Sequence, residues 1–457
     1  MNRRSLLRLL VAMGLGVQGL GQVRASDWGG KKTVPERVIV IGAGLAGLAA
    51  ARELQDQAYE VVVLEGRDRI GGRLWTSTKW ADIPLDMGAS WIHGMDGNPL
   101  TELAEAAKAK LIETSYDSNQ IYDVDGRELS DEKEKRLDRL RDQFQRAIEV
   151  AQDAEKDTSL RQVMDRFQSR VGADEEVTQM LNFIASSNLE QEYAGSVEKM
   201  SAQWFDSAEE FDGDDGLFAN GYQQIVKFLA RDLTIKTSQI VQRVDWEQDQ
   251  VRVNTGTEEY IADRVIVTLP LGVLKAGRVA FSPPLPKTIS QAIDGLDMGV
   301  LNKCYLRFPK VFWPDDVDWL ECITAKHGEW VEWVSFARAL NVPVLLGFNA
   351  ADRGREIEAW SDQEIVGSAM ATLRHLFGPN IPEPTSYQLT RWASDPFALG
   401  AYSYNPVGAN PKLRRQLAKP VAGKLYFAGE ATDQEYFGTA HGAYLSGLRA
   451  VEEITSD

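Results

Sequence analysis

The segment that most constrains this chain is RVIVIGAGLAG, residues 37–47. Its apolar first part is typical of a buried parallel strand, and Gly42, Gly44 and Gly47 follow in G-x-G-x-x-G spacing. A helical stretch, AARELQDQAYE, comes next, and then a second strand, VVVLE, which ends on Glu65. Gly42 permits a tight turn, Gly44 lets the backbone approach a pyrophosphate, and Gly47 allows close packing of helix and strand. Because Glu65 is placed to accept hydrogen bonds from a ribose, the segment predicts a dinucleotide-binding βαβ unit.

The length and charge of the chain limit its other functions. The chain has 457 residues, which favours two domains or one domain with a large insertion. Asp and Glu outnumber Lys and Arg by 67 to 50, for a net charge of −17. This balance argues against a nucleic-acid-binding surface. The acidity can attract cationic ligands or can serve solubility alone.

The first residues are typical of a targeting signal rather than of a folded element. Arg3 and Arg4 form a twin-arginine pair, an apolar stretch covers residues 9–20, and Val-Arg-Ala at 23–25 offers a cleavage site. The apolar stretch is too short to span a membrane, so we expect no stable membrane insertion. Residues 1–25 therefore predict a Tat-like signal peptide and a periplasmic or otherwise exported protein.

The segment GRDRIGGRLWT, residues 66–76, indicates which dinucleotide is bound. It resembles the segment that follows the ribose-binding acid in the flavin amine oxidase family, and similarity to that family extends over about residues 36–454. The resemblance implies that FAD is the cofactor. It also implies that Arg67, Gly72 and Arg73 contact FAD, with Arg73 at the pyrophosphate.

Three later blocks resemble further FAD-binding parts of the same family. The first, in two parts at 237–246 and 262–275, implies that Val244 contacts the adenine end. The block RWASDPFALGAYSY, 391–404, resembles the segment lining the flavin ring, with Trp392 against it, and has Ala401 where monoamine oxidases carry the cysteine that bonds to FAD. The resemblance therefore implies non-covalent FAD.

The last of the three blocks is YFAGEATDQEYFGTAHGAYLSGLRAVEEI, 426–454. It implies that Gly429, Glu430, Thr439 and Ala440 bind the cofactor, with Glu430 on the ribityl chain. A helix beginning near Ala440 would direct its positive N-terminus at the N1/O2 edge of the flavin.

A lysine inside an apolar strand is the candidate catalytic residue. In VLNKCYLRF, residues 300–308, Lys303 shares a face with Leu301 and Tyr305 and needs a polar partner if it is buried. One interpretation is a lysine whose head reaches solvent from a barely buried strand. The resemblance implies instead that Lys303 hydrogen-bonds a water at flavin N5, which supplies the partner that the strand lacks.

Candidate substrate-binding residues follow from similarity to polyamine oxidases. The block at 86–100 resembles animal spermine and acetylpolyamine oxidases and includes His93, which is otherwise an ordinary loop histidine. The segment SNLEQEYAG, 187–195, implies a substrate-binding glutamate at Glu190, with Glu192 as the alternative.

Aromatic residues near the flavin-lining block complete the candidate substrate site. Trp392 and Tyr436 match the aromatic pair that flanks the substrate amine, and Tyr402 lies in the same block as Trp392. An aromatic pair suits an amine because cations and amine C–H groups are attracted to π faces. The alternative is that these rings are ordinary core aromatics.

The predicted fold class is α/β, with a Rossmann-like FAD-binding domain and a discontinuous α+β substrate-binding domain. This is the topology of amine oxidases and p-hydroxybenzoate hydroxylase. We expect the FAD domain at 36–100, 217–295 and 400–457, and the substrate domain at 101–216 and 296–399. Residues 131–168 are typical of a charged amphipathic helix.

The resemblance implies an FAD-dependent polyamine oxidase. It would oxidise a C–N bond of spermine- or spermidine-type amines with O2, giving an aminoaldehyde, a shorter amine and H2O2. The alternatives are an L-amino-acid oxidase or a monoamine oxidase of the same fold, or a flavoprotein without oxidase turnover. The sequence shows no cluster of metal ligands, and the two cysteines, Cys304 and Cys322, fit either a disulfide or two free thiols.

Overall fold

The GAGLAG segment connects a strand and a helix of a parallel sheet, as predicted. In the computed structural model, which describes residues 35–456, β1 (Arg37–Ile41) leads into α1 (Leu45–Asp56) and then into β2 (Glu60–Leu64). These two strands belong to a five-stranded parallel sheet. Its order is β22 (Leu425–Phe427), β13 (Arg264–Val267), β1, β2 and β9 (Ile235–Lys236). The buried strand residues are mostly Val, Ile, Leu and Phe, as expected for a parallel sheet covered on both faces.

A six-stranded sheet forms the other large part of the structure. Its order is β20 (Ser386–Leu389), β16 (Leu301–Arg307), β19 (Val344–Ala350), β18 (Glu332–Ser335), β17 (Trp319–Cys322) and β7 (Asn119–Tyr122). All neighbours pair antiparallel except β17 and β7, which are parallel. The strand predicted around Lys303 is therefore confirmed as β16. Cys304 and Cys322 are buried free thiols, which settles the disulfide question against pairing.

The two faces of the six-stranded sheet have different environments. Cys304, Leu306 and Leu345 pack with residues of helix α11 (Asp362–Phe377) in one apolar cluster. Because side chains alternate along a strand, Lys303 and Tyr305 point to the opposite face. That opposite face borders the cavity described below.

The remaining strands form four smaller sheets. They are β12 (Glu259–Ala262), β11 (Val251–Asn254), β10 (Arg243–Asp245) and β14 (Ala280–Ser282); β5 (Trp91–Ile92), β8 (Asp215–Phe218) and β6 (Leu111–Thr114); β3 (Thr76–Ser77) and β4 (Leu85–Asp86); and β15 (Asp297–Met298) and β21 (Ser403–Tyr404). The other α-helices of the described chain are α2 (Pro99–Ala106), α3 (Asp131–Gln152), α4 (Leu160–Val171), α5 (Glu175–Ile184), α6 (Gln223–Leu229), α7 (Leu271–Lys275), α8 (Lys287–Gly295), α9 (Phe336–Leu340), α10 (Ala351–Glu358), α12 (Lys412–Leu417) and α13 (Ala440–Ser456). A π-helix covers Ala185–Gln191 and a 3₁₀-helix covers Glu430–Thr432.

The charged segment predicted as helix at 131–168 is two helices, α3 and α4. The Ser159 hydroxyl accepts a hydrogen bond from the Gln162 backbone, and the Gln162 side chain accepts one from the Ser159 backbone. This capping box begins a new helix at Leu160. The boundary was readable in the sequence, because SLRQ has the S-x-x-Q form.

The parallel sheet lies in the ranges expected for the FAD domain, and the six-stranded sheet lies in those expected for the substrate domain. Contacts join Glu36–Asp457 into one compact unit, so the exact domain boundaries stay a prediction. The predicted signal peptide, residues 1–25, lies outside the described residues. Within residues 35–456, no helix is both long enough and apolar enough to span a bilayer.

Candidate active site

One large cavity connects the glycine-rich turn to the six-stranded sheet. Its volume is about 1510 Å³. Most of the predicted site residues line it: Gly42, Gly44, Glu65, Arg67, Gly72, Arg73, His93, Lys303, Trp392, Tyr402, Gly429, Glu430, Thr439 and Ala440. Four of the predicted residues do not line it: Gly47, Glu190, Val244 and Tyr436.

The three glycines of the motif have the distinct environments that their predicted roles require. Gly42 has a φ of +109°, and a Cβ on it would lie 2.5 Å from Thr268 Oγ1. A Cβ on Gly47 would lie 2.0 Å from the Gly42 carbonyl oxygen, so Gly47 serves the packing of α1 on the strand. A Cβ on Gly44 would meet no protein atom within 4 Å. Because the protein itself leaves room at Gly44, a glycine there fits the approach of a ligand such as a pyrophosphate.

Glu65 is held by backbone donors at the end of β2. Its carboxylate accepts hydrogen bonds from the backbone of Ala43, at 2.7 Å, and of Arg67, at 2.8 Å. Arg67 in turn forms an ion pair with Asp395, with 2.6 Å between Nη2 and Oδ1. This arrangement fits the predicted ribose-binding role, since Glu65 is fixed at the cavity wall.

Arg73 and Glu430 form an ion pair across the cavity wall, with 2.8 Å between Nη1 and Oε1. Arg73 also donates to the Ala401 carbonyl at 2.8 Å, and Glu430 accepts from Ser403 Oγ at 2.6 Å and from the Gly438 backbone at 3.0 Å. Burial alone would raise the pKa of Glu430, but the Arg73 charge and the Ser403 hydrogen bond hold it below its usual value. The pair is therefore charged and fixed in position beside the cavity.

The N-terminus of α13 faces the same region, as predicted. Thr439 Oγ1 accepts a hydrogen bond from the Gly442 backbone at 2.9 Å, which caps the helix. Thr439 and Ala440 line the cavity. The positive end of the helix is thus available to an electronegative group of a bound cofactor.

Lys303 is buried and fully hydrogen-bonded. Only 6% of the residue is exposed. Its Nζ donates to the carbonyl oxygens of Asp86, at 2.9 Å, and Gly88, at 2.7 Å, and to Ser90 Oγ. Burial lowers the pKa of Lys303 to about 7, against the opposing effect of the Asp86 carboxylate.

The environment of Lys303 corrects one expectation. Its polar partners were expected from the flavin and a water, but the 86–90 segment supplies three protein acceptors. The solvent-reaching alternative does not fit either, because the ammonium group points to the cavity face of the buried sheet. A group near neutral pKa at this position can exchange a proton with a molecule in the cavity.

The glutamate expected in the substrate site does not reach the cavity. Glu190 lies in the π-helix, accepts a hydrogen bond from the Val197 backbone at 3.1 Å and pairs with His327 Nε2 at 2.7 Å. Glu192 lines the cavity instead. The structure therefore favours Glu192, the alternative, as the carboxylate that a substrate can meet.

Two further positions are corrected by the structure. Val244 is fully buried in β10, whereas Val241, three residues earlier, lines the cavity. The Tyr436 ring stacks on Phe211, with 4.8 Å between ring centroids, and Phe211 is the ring that lines the cavity. Val241 belongs to the same segment as Val244, and the resemblance does not show which side chain of an irregular segment turns inward. Phe211 instead comes from a distant part of the chain, which the block containing Tyr436 could not indicate.

The other three predicted substrate residues do border the cavity. Trp392 Nε1 donates to the Met87 carbonyl at 3.1 Å, and the Tyr402 hydroxyl donates to the Gln191 carbonyl at 2.8 Å. His93 pairs with Asp215 through its Nδ1, at 2.9 Å from Oδ2. Burial lowers the pKa of His93, but Asp215 and the nearby acidic residues together raise it above the usual value. Burial raises the pKa of Glu192, and the positive charge of His93 opposes that effect, so this part of the cavity groups one imidazole with the carboxyl groups of Glu192 and Asp215.

Sequence reasoning missed a pair of buried acids on the same sheet. Glu321 in β17 and Glu332 in β18 both line the cavity. The signal that singled out Lys303 was present here too, since WLEC and EWVS each place an acid in an otherwise apolar strand.

A glycine cradle for a dinucleotide, joined by one cavity to a buried lysine, is the arrangement expected of a flavin-dependent oxidoreductase. The chain belongs to the flavin-containing amine oxidoreductase family. The sequence model of that family matches residues 45–455. Its cofactor is FAD. Ala401, the position of the covalent cysteine in monoamine oxidases, offers no nucleophile, so FAD is bound non-covalently.

Individual relatives agree with this assignment. Polyamine oxidase 4 of Oryza sativa subsp. japonica is 37% identical over 442 residues, which cover 92% of this chain and 88% of that protein. Polyamine oxidase 2 of Arabidopsis thaliana is 34% identical over 444 residues, covering 92% and 88%. A structure of putrescine oxidase bound to putrescine shares the fold with a TM-score of 0.75, at 21% identity, over 93% of this chain and 100% of that one.

Proposed function

We propose that this protein is an FAD-dependent polyamine oxidase that uses O2 and, to hydrolyse the imine formed by oxidation, water, and that it releases an aminoaldehyde, a shorter amine and H2O2. The observation that carries the proposal is the continuity of one cavity from the glycine cradle, past Lys303 and Trp392, to a group of acidic side chains. Acidic walls favour a substrate with several positive charges. Relatives named as polyamine oxidases over nearly the whole chain support the same substrate class.

The residues of the chain have three tasks in this reaction. When bound, FAD accepts the two electrons of the C–H bond next to the amine nitrogen. Trp392 provides a rigid aromatic wall that orients the amine, while Glu192 holds a charged part of the substrate. Lys303, with its pKa near 7, can take up or return a proton at the reacting end.

The cavity disfavours an amino-acid substrate. An L-amino-acid oxidase needs a cation to bind the substrate carboxylate, and Arg141 is an arginine of the cavity wall away from the cofactor cradle. Its Nη1 already donates to Asp138 at 3.1 Å, and its positive charge also interacts with the Glu321 carboxylate. A carboxylate there would meet two others.

Anaerobic absorbance spectra test the function directly. Spermine and spermidine should bleach the oxidised flavin band of the purified holoenzyme, whereas leucine and phenylethylamine should leave it intact. Bleaching by leucine alone would make the protein an amino-acid oxidase, and bleaching by no amine would overturn the proposed oxidase activity.

The two neighbouring glutamates should respond differently to the same substitution. We expect Glu192→Gln to raise the KM for spermine about 10-fold, because it removes a charge that faces the cavity. Glu190→Gln should instead lower the Tm and leave KM nearly unchanged, because Glu190 bonds only protein groups. Steady-state kinetics and thermal unfolding of both variants measure this; a larger KM effect for Glu190→Gln would return the substrate role to it.

We also propose that the protein is exported to the periplasm by a Tat-type signal. The support is the sequence of residues 1–25 alone. N-terminal sequencing of the exported protein should begin near Ser26, and replacement of Arg3 and Arg4 by Lys should retain the precursor in the cytoplasm.

A further inference from the structure

The cavity floor is a row of side chains that crosses the six-stranded sheet from Lys303. Strand pairing sets Lys303 opposite Phe348, and Glu321 opposite Glu332. Strands β18 and β19 run antiparallel with Trp333 opposite Gly347. The residue before Trp333, Glu332, is therefore opposite the residue after Gly347, Phe348. Ile121 faces Glu321 on the last strand. Since residues opposite each other share a sheet face, all five side chains lie in line, and all five line the cavity.

The row fixes how far the two acids lie from the reacting end. Neighbouring strands are ~4.8 Å apart, so Glu332, two strands from Lys303, lies about 10 Å away along the row, and Glu321, three strands away, about 14 Å. A compact diamine with one amine at Lys303 does not extend that far. A triamine or tetraamine, whose chain contains several spacers, does.

The two acids are buried without a cation to balance both charges. Glu332 is 7% exposed, the Ser187 hydroxyl hydrogen-bonds to it, and no ion pair of the described residues includes it. Glu321 is 8% exposed and accepts a hydrogen bond from Asn119 Nδ2 at 3.1 Å, with Arg141 as a more distant charge. Two facing carboxylates of this kind destabilise each other unless a cation or a proton lies between them.

In the amine-free protein, a proton bound by the carboxylate pair reduces this repulsion. Burial first, and then the Glu321 charge, raise the pKa of Glu332 well above its usual value, and burial also raises the pKa of Glu321. An ammonium group that arrived between the two carboxylates would replace the proton.

Aromatic rings beside the pair suit an ammonium ligand. Trp319, which lies two residues before Glu321 on the same strand face, stacks with Tyr116 at 4.5 Å and with Phe348 at 6.3 Å between ring centroids. Stacked rings beside paired carboxylates provide an apolar wall along which the methylene chain of an alkylammonium group can pack. Two carboxylates provide too few oxygens for the six to eight that Ca²⁺ takes.

We propose that Glu321 and Glu332 form a distal subsite that binds the ammonium group at the far end of a long polyamine while its other end is oxidised near Lys303. The proposal rests on the proposed function and adds to it a preference for triamines and tetraamines over diamines. The subsite acts on binding and positioning, and Glu321 and Glu332 take no part in the chemistry of the reacting carbon.

Kinetics with two probe amines test the subsite. Glu332→Gln keeps the shape of the side chain and removes its charge, so the KM for spermine should rise about 10-fold to 100-fold. The KM for putrescine should change by a much smaller factor. Glu321→Gln should show the same selectivity and serves as the second variant if Glu332→Gln folds poorly. Glu149→Gln, at an exposed position of α3, is the matched control and should change neither constant.

Thermal unfolding gives an independent measurement. Because the glutamine amide resembles the protonated Glu332 of the amine-free protein, Glu332→Gln should leave the Tm of the amine-free holoenzyme nearly unchanged, while the further rise caused by anaerobic spermine should shrink. The same factor of increase in KM for spermine and for putrescine would overturn the proposed subsite. So would a Tm shift by spermine as large in the variant as in the wild type. Wild-type flavin that no amine bleaches would overturn the proposed function itself, so the two failures are distinguishable.

Discussion

Lys303→Met should reduce amine turnover per bound flavin about 100-fold while FAD stays bound. Methionine has a similar length but neither charge nor donors, so the variant loses the proton-exchanging group at the cavity face. FAD should remain, because no predicted contact of the glycine cradle depends on Lys303. The variant should also be less stable, because the Asp86 and Gly88 carbonyls and Ser90 lose their buried partner.

The pH dependence separates this role from a structural one. Burial lowers the pKa of Lys303 to about 7 and raises the pKa of the nearby Asp86 carboxyl to about 7, so the two groups titrate together and the charge of the pair changes as the pH rises through about 7. Wild-type turnover should therefore rise with pH through about 7, and the inflection should be absent in Lys303→Met. Lys310→Met, at an exposed position beyond the same strand, is the control. Unchanged turnover and an unchanged pH profile of Lys303→Met would refute the catalytic assignment.

Gly44→Val should abolish FAD binding without unfolding the protein. The backbone of Gly44 has φ −77° and ψ −179°, a conformation open to any residue, and a Cβ there meets no protein atom within 4 Å. The valine would instead occupy the space that a pyrophosphate needs. If the steric clash costs about 3 kcal/mol of the binding free energy of FAD, the affinity for FAD falls more than about 100-fold.

The measurement is the flavin absorbance per mole of purified protein, with far-ultraviolet circular dichroism to confirm folding. Gly367→Val is a matched control, because a Cβ at this glycine of α11 also meets nothing within 4 Å. It should retain full FAD content, since valine is a better helix former than glycine. A flavin-loaded Gly44→Val would show that the dinucleotide does not approach the turn.

Sequence patterns were most informative where backbone geometry demands a residue type. Gly42 and Gly47 could be predicted because a Cβ at either would collide with protein atoms, and Glu65 because β2 must end at the cofactor edge. Lys303 could be predicted because a charge in an apolar strand needs a partner. Its actual partners could not, since they come from the end of β4 and the residues after it, more than two hundred residues earlier in the chain.

The displaced assignments share a physical cause. Glu190 and Glu192 lie at the end of a π-helix, where the turn of the backbone differs from that of an α-helix and the inward face cannot be counted from spacing. Val241 precedes β10 in an irregular segment, so strand alternation did not apply to it. The pairing of Glu321 with Glu332 depends on strand register, which a single sequence does not specify.

The ion pair between Arg73 and Glu430 joins two parts of the chain 357 residues apart, and this has a consequence for biosynthesis. The strand β22 and the helix α13, which packs on α1, also come from the final part of the chain. A nascent polypeptide that has been synthesised only as far as the six-stranded sheet lacks these elements, so its cofactor cradle is incomplete. Flavin loading must therefore follow synthesis of Glu430, β22 and α13, although the glycine-rich turn is made near the start of the fold.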